Sequence, residues 1–227
     1  MPVWEIENKL LQAERLNTMS NFNILSLILS IPGLLLALTF HEFAHGYVAY
    51  LMGDNTARYS GRLSLNPMDH LDIWGTLCLL FFRFGWAKPV PINPANFRDQ
   101  RKGIIAVSLA GPLANFLLAL VSGIICTILR KFVGIRQIAE IFYMIFLYSQ
   151  VMNVGLMVFN LIPNPPLDGS KVLMEFLPYR MRYQMYQIER YSGIILLVMV
   201  WTGILSPVLN TMAGWVYWII GLITNLI

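Results

Sequence analysis

The sequence predicts an all-α polytopic membrane protein. About five transmembrane helices are expected, with a short re-entrant or interfacial apolar segment and a small extended or hairpin region. Three observations predict it. Of 227 residues, 57% are hydrophobic and only 12% charged, against roughly 45–50% and about 25% in soluble domains. Mean hydropathy is +0.61. Several stretches also approach the roughly 20 apolar residues that a spanning helix needs. The net charge of +4 does not point to nucleic acid, because the Lys and Arg residues sit between hydrophobic segments, where membrane topology explains them. Cys78 and Cys126 lie in apolar runs without CxxC spacing and read as small buried hydrophobes. Glu5, Glu7 and Glu14 stand where a cleavable signal peptide would carry a basic region, so none is expected.

Residues 1–21 form the first unit. Trp4, Ile6, Leu10, Leu11 and Leu16 alternate there with charges, as in an interfacial amphipathic segment or a frayed polar tail. Residues 22–190 are the expected membrane-embedded core. It opens with an apolar run over 22–51, long enough for one tilted helix kinked at Pro32. Residues 53–70 are polar and turn-rich, and Arg58 to Leu65 reads as a short hairpin strand. Residues 71–84 are apolar but too short for an ordinary span. Pro89, Pro91 and Pro94 then impose an extended path on 85–100. Spans follow at 104–129 and 138–162, the second stopped by Pro163-Asn164-Pro165-Pro166. Residues 170–190 read as a short surface helix. Residues 191–227 read as a C-terminal helical hairpin of two apolar segments, 191–206 and 212–227, parted at Ser206-Pro207.

His41-Glu42-Phe43-Ala44-His45 fits HExxH. On a helix, positions i and i+4 share a face, so both imidazoles can reach one tetrahedral metal ion. The glutamate between them is then placed to take a proton from the attacking water. The setting sharpens the motif, since an ionisable group inside a spanning segment costs about 2.5–3.5 kcal/mol on insertion scales and is functional by default. The plainer alternative is a pair of hydrogen-bonded packing histidines. A catalytic zinc usually takes three protein ligands. His70, beside Asp69 and Asp72, reads as a surface or interfacial histidine rather than a ligand. Asp168, in an irregular turn directly after an apolar segment, is a candidate third ligand, because non-helical backbone at membrane depth is tolerated where it lines a cavity. An ordinary solvated turn aspartate beside Gly169 explains it equally well.

Three blocks together resemble the site-2 protease family: His41-Glu42-Phe43-Ala44-His45-Gly46, Gly111-Pro112-Leu113-Ala114-Asn115, and Phe159-Asn160-Leu161-Ile162-Pro163 running into Leu167-Asp168-Gly169. The stretches Gly61 to Pro67 and Gly85 to Val90 are similar to the compact bacterial branch without PDZ or CBS domains. Asp72-Ile73-Trp74-Gly75 departs from it by lacking a proline after the aspartate. The resemblance implies one zinc ion on His41, His45 and Asp168, with Glu42 as general base. It implies a substrate- or oxyanion-binding role for Asn160 and a structural role near the site for Gly111, Pro112 and Asn115. Membrane-protein or signal-peptide-remnant substrates and a bacterial plasma-membrane location are the matching expectations.

That ligand set demands that the helices before His41 and Asp168 run parallel, with one span between them, so 71–84 should not cross. Residues 52–103 and 163–190 then share a side and hold 11 of the 16 Lys and Arg residues, which predicts an active site toward the cytoplasm. Two rivals have distinct signatures. A metal transporter would not need Glu42 beside the first ligand. A catalytically silent membrane-protein-binding homologue would not need all four polar positions. Strand addition of an unwound substrate along Trp86–Ala95, with the hairpin near Arg58–Leu65, is a further expectation; a connecting loop stiffened by prolines is the simpler one.

Overall fold

The computed structural model describes residues 24–72, 75, 87–130, 132 and 137–226. Helices α1 (Ile24–Met52), α2 (Thr56–Tyr59), α3 (Gln100–Arg130), α4 (Gln137–Asn160), α5 (Asp168–Phe176), α6 (Tyr179–Trp201) and α7 (Ser206–Thr224) follow one another, with 3-10 turns at Pro67–Asp69 and Pro94–Asn96. No strand occurs among the described residues; one isolated antiparallel bridge joins Leu71 to Ala87. Helices α1, α3, α4 and α7 are long and apolar enough to cross a membrane. The protein is thus all-α and polytopic, with four such helices among the described residues.

Helices α1, α3 and α4 pack pairwise into the centre of the molecule. Each turns a stripe of small or polar residues inward, spaced three or four apart so that it stays on one face. On α1 the stripe is Ser30, Gly33, Ala37, His41, His45 and Ala49. On α3 it runs through Val107, Gly111, Asn115, Ala119, Ser122 and Cys126. The outward faces carry exposed Leu36, Leu113, Leu117, Val121, Ile141 and Phe142. This inverts the soluble pattern for a physical reason. In lipid no hydrophobic force drives helices together, so close backbone approach and hydrogen bonds hold them. A Cβ on Gly33 would lie 2.5 Å from Ser149 Cα, so the close approach of α1 to α4 at that level requires glycine. Asn115 Nδ2 donates to Asn153 Oδ1 at 2.9 Å and to Ala37 O at 3.0 Å, linking all three helices through one side chain.

These contacts also fix helix direction. Gly33 is level with Ser149, Ala37 with Asn115 and Asn153, and His45 with Val107. Numbering rises together along α1 and α4 and falls along α3, so α1 and α4 run parallel and α3 antiparallel to both. Helix α7 covers α3 and α4, with Val216 and Ile220 buried against Ala119, Val154 and Val158.

Two of the expected elements differ in the structure. Arg58 to Leu65 is not a hairpin strand: the one-turn helix α2 takes its first residues, and Gly61, at φ +67°, turns the chain out of it. Residues 191–206 are not a separate span. No proline interrupts Tyr179 to Trp201, so the charged and apolar stretches merge into one helix, α6. Leu196 on α6 packs with Ile162, Leu167 and Leu205 at the end of the bundle where α5 begins. The N-terminal segment 1–21 and most of 71–84 lie outside the described residues. The chain on either side of the latter is paired, through the Leu71–Ala87 bridge and a 2.8 Å bond from Lys88 N to His70 O.

Pro89, Pro91 and Pro94 keep the segment after Ala87 out of α-helix, and carboxylates on α1 and just past its end fasten it in place. Val90 N donates to Glu42 Oε2 at 2.9 Å. Asn93 N and Asn96 Nδ2 each donate to Asp54 at 2.7 Å. Arg98 N closes the segment on Met52 O at 2.9 Å.

Candidate metal centre

The structure brings His41, His45 and Asp168 to one buried point. His41 Nε2 lies 3.0 Å from His45 Nε2, and Asp168 Oδ2 lies 3.3 and 3.0 Å from the two nitrogens. Helix α1 supplies both histidines from adjacent turns. Asp168 arrives from the turn that ends α4, as the first residue of α5. Gly169 makes that turn possible: a Cβ there would stand 2.3 Å from Leu161 O.

Hydrogen bonding fixes which ring nitrogens carry protons. His45 Nδ1 lies 2.7 Å from Val107 O, which can only accept, so Nδ1 is the protonated nitrogen. His41 Nδ1 lies 2.6 Å from Asn115 Oδ1. The Asn115 amide nitrogen is committed to two acceptors, so Oδ1 faces the ring and His41 Nδ1 donates to it. Both Nε2 atoms therefore present lone pairs to each other and to a carboxylate oxygen that has no hydrogen-bond donor of its own. Three electron-pair donors at such distances repel unless a proton or a metal cation lies among them. Ligand atoms at about 2.0–2.1 Å on a tetrahedral ion are about 3.3 Å apart, close to the spacing found, so the donor set fits one metal ion. Outer-shell acceptors that hold imidazoles in one tautomer are the usual support of such ligands.

Gly111 lies against both rings. A Cβ there would be 2.5 Å from His41 Cε1 and from His45 Nε2, so the absence of a side chain makes room for the donor set. Pro112, the next residue, is buried inside α3. Glu42 holds the Val90 amide at the same level of α1. Lys171, one turn into α5, donates to the other carboxylate oxygen of Asp168 at 3.0 Å. Asn160 ends α4 with its amide donating to Leu156 O at 3.0 Å, and the structure does not bring it into the donor set. His70 is not a surface histidine: it is fully buried, with Nε2 donating to Ser64 O at 2.8 Å, and it stands apart from the centre. The Val107 carbonyl, the Val90 amide and Lys171 were not foreseen. The first two are main-chain atoms without any side-chain signature, and Lys171 could have been found from its i+3 spacing to Asp168.

A cavity of about 260 Å³ opens beside the centre, reaching His45 and Asp168 between the 90–97 segment and α3.

No protein-family model matches the chain, and no solved structure matches it significantly. The chain is 40% identical over 187 residues to "Putative zinc metalloprotease YwhC" of Bacillus subtilis, covering 78% of this chain and 84% of that one. It is 32% identical over 158 residues to a protein of the same description, MJ0611 of Methanocaldococcus jannaschii, covering 67% and 73%. Rip2 of Mycobacterium tuberculosis, also so described, is 28% identical over 205 residues. Identity of this extent over most of both chains puts the protein in one family with YwhC and MJ0611, the zinc metalloproteases.

Proposed function

We propose that this protein is an intramembrane metalloprotease of the site-2 type, hydrolysing peptide bonds in or near the membrane-spanning segments of other proteins, signal-peptide remnants among them. The observation that carries the reading is the convergence of His41 Nε2, His45 Nε2 and Asp168 Oδ2 inside a bundle of apolar helices, with a glutamate next to the first histidine. His41, His45 and Asp168 would hold one zinc ion, which supplies Lewis acidity and lowers the pKa of water toward about 7. Asn115 and the Val107 carbonyl each hold a proton on Nδ1 and so aim the Nε2 lone pairs at the ion. Glu42 takes the proton of the attacking water and delivers it to the leaving amine. Asn160 would donate to the substrate backbone or the developing oxyanion after leaving Leu156 O. Pairing of an unwound substrate with the 87–95 segment would supply the extended geometry that hydrolysis needs. The 11 basic residues in 52–103 and 163–190 support a cytoplasm-facing centre in a bacterial plasma membrane.

The test compares purified wild type with Glu42→Gln on membrane-spanning peptides, with bound zinc measured in both. Equal zinc with cleavage lost only in the variant is the expected result. Cleavage by Glu42→Gln at the wild-type rate would overturn the assignment, and zinc transport surviving in the variant would favour a transporter.

A further inference from the structure

We propose that the cavity beside the metal centre is the subsite for one bulky apolar side chain flanking the scissile bond, and that it sets which peptide bond is cut. This rests on the protease reading of the centre. His45 and Asp168 are among its lining residues, so an occupant of the cavity lies against two members of the donor set. One wall is the anchored loop, through Val90, Ile92 and Phe97. The facing wall is the first turns of α3, through Ile104 and Val107. Val90, Ile92, Phe97, Ile104 and Val107 thus give the cavity a largely apolar lining, which favours an aliphatic or aromatic occupant.

Its size narrows the occupant further. At about 260 Å³ the cavity is below the roughly 300 Å³ at which small-molecule sites begin. It is too small for a helix, whose diameter with side chains is about 10–12 Å. One large side chain fits, presented by a backbone already unwound. Lys171 also lines the cavity, half-exposed and ion-paired to Asp168 at 3.0 Å. Its charge disfavours a basic occupant. The wall also does not move freely, because Val90 is tied to Glu42 and Asn93 to Asp54. A rigid wall discriminates by size better than a mobile one.

The experiment uses the full chain in detergent or liposomes and a series of membrane-spanning peptides differing only in the residues flanking the cleaved bond: Gly, Ala, Leu, Phe or Lys. Wild type should cleave the Leu or Phe peptide at least about tenfold faster in kcat/KM than the Ala peptide, the scale of a few methylenes in an apolar pocket, and the Lys peptide slowest. Ile104→Phe from one wall and Ile92→Phe from the other should each cut the Leu and Phe peptides toward the Ala rate while bound zinc is unchanged. Cleavage that ignores the flanking side chain, or filled variants that keep the wild-type order with zinc intact, would overturn the subsite alone. Absence of cleavage of every peptide by zinc-loaded wild type would overturn the protease reading and the subsite with it.

Discussion

Asn115 does more than fill space between helices. It is fully buried, it accepts from His41 Nδ1, and its amide ties α1 to α4 through Ala37 O and Asn153 Oδ1. Removing it leaves a buried imidazole N–H without an acceptor, and losing an outer-shell partner of this kind costs about 10–100-fold in metal affinity. Asn115→Ala should therefore weaken zinc binding by that factor in a chelator-competition titration. An unchanged affinity would mean that α1 packing alone holds the ring. The pairing of His41 with His45 was legible in the sequence because an i, i+4 histidine pair on an apolar helix has few other uses. Asp168 was legible only through resemblance, since the residues around it describe an ordinary turn as well as a ligand. What holds the ligands was less legible. The Val107 carbonyl supports His45 whatever its own side chain is, so no residue type announces it.

At the scale of elements, the loop after Ala87 owes its shape to Asp54. That carboxylate has no exposed surface and accepts from Thr56, Asn93 and Asn96. Burial by itself would raise its pKa, but the hydrogen bonds from Thr56, Asn96 and Asn93 outweigh burial and hold it below the ordinary aspartate value. A depressed folded-state pKa stabilises the loop fully above the unfolded value of about 3.9, and the contribution fades as pH falls below it. Hydrogen exchange of the Asn93 and Thr56 main-chain amides, which donate to Asp54, corrected for intrinsic rate, should show equal protection at pH 7 and pH 5, with loss beginning below about pH 4. In Asp54→Ala that protection should be missing at every pH. The extended course of this segment was legible from its prolines. The continuity of α6 was not: a change from charged to apolar composition near Tyr191 looks like an element boundary, yet only a breaker ends a helix, and none stands between Tyr179 and Trp201. Arg58 to Leu65 misled in the opposite way, through an alternation too short to outweigh the turn at Gly61.

For the whole molecule, the parallel course of α1 and α4 was foreseeable because one ion cannot be bound from both sides of a membrane. The architecture makes a checkable statement about sidedness. Tyr59 and Tyr179, both exposed, belong with the metal-centre end, and exposed Phe132 follows α3 at the other. In a chain with Cys78 and Cys126 replaced, Tyr59→Cys and Tyr179→Cys should react with an impermeant maleimide from one face of the membrane and Phe132→Cys from the opposite face. Labelling of Tyr59→Cys and Phe132→Cys from the same face would refute this course of the chain. The bond from the Val90 amide to Glu42 carries a last consequence. On the proposed mechanism it makes the proton acceptor and the wall that judges the incoming chain a single mechanical part. A poorly seated segment that strains the wall strains the acceptor with it, so the penalty falls on turnover as well as on affinity. Such a protease would pass over most of the membrane segments it touches, holding them briefly and letting them go uncut.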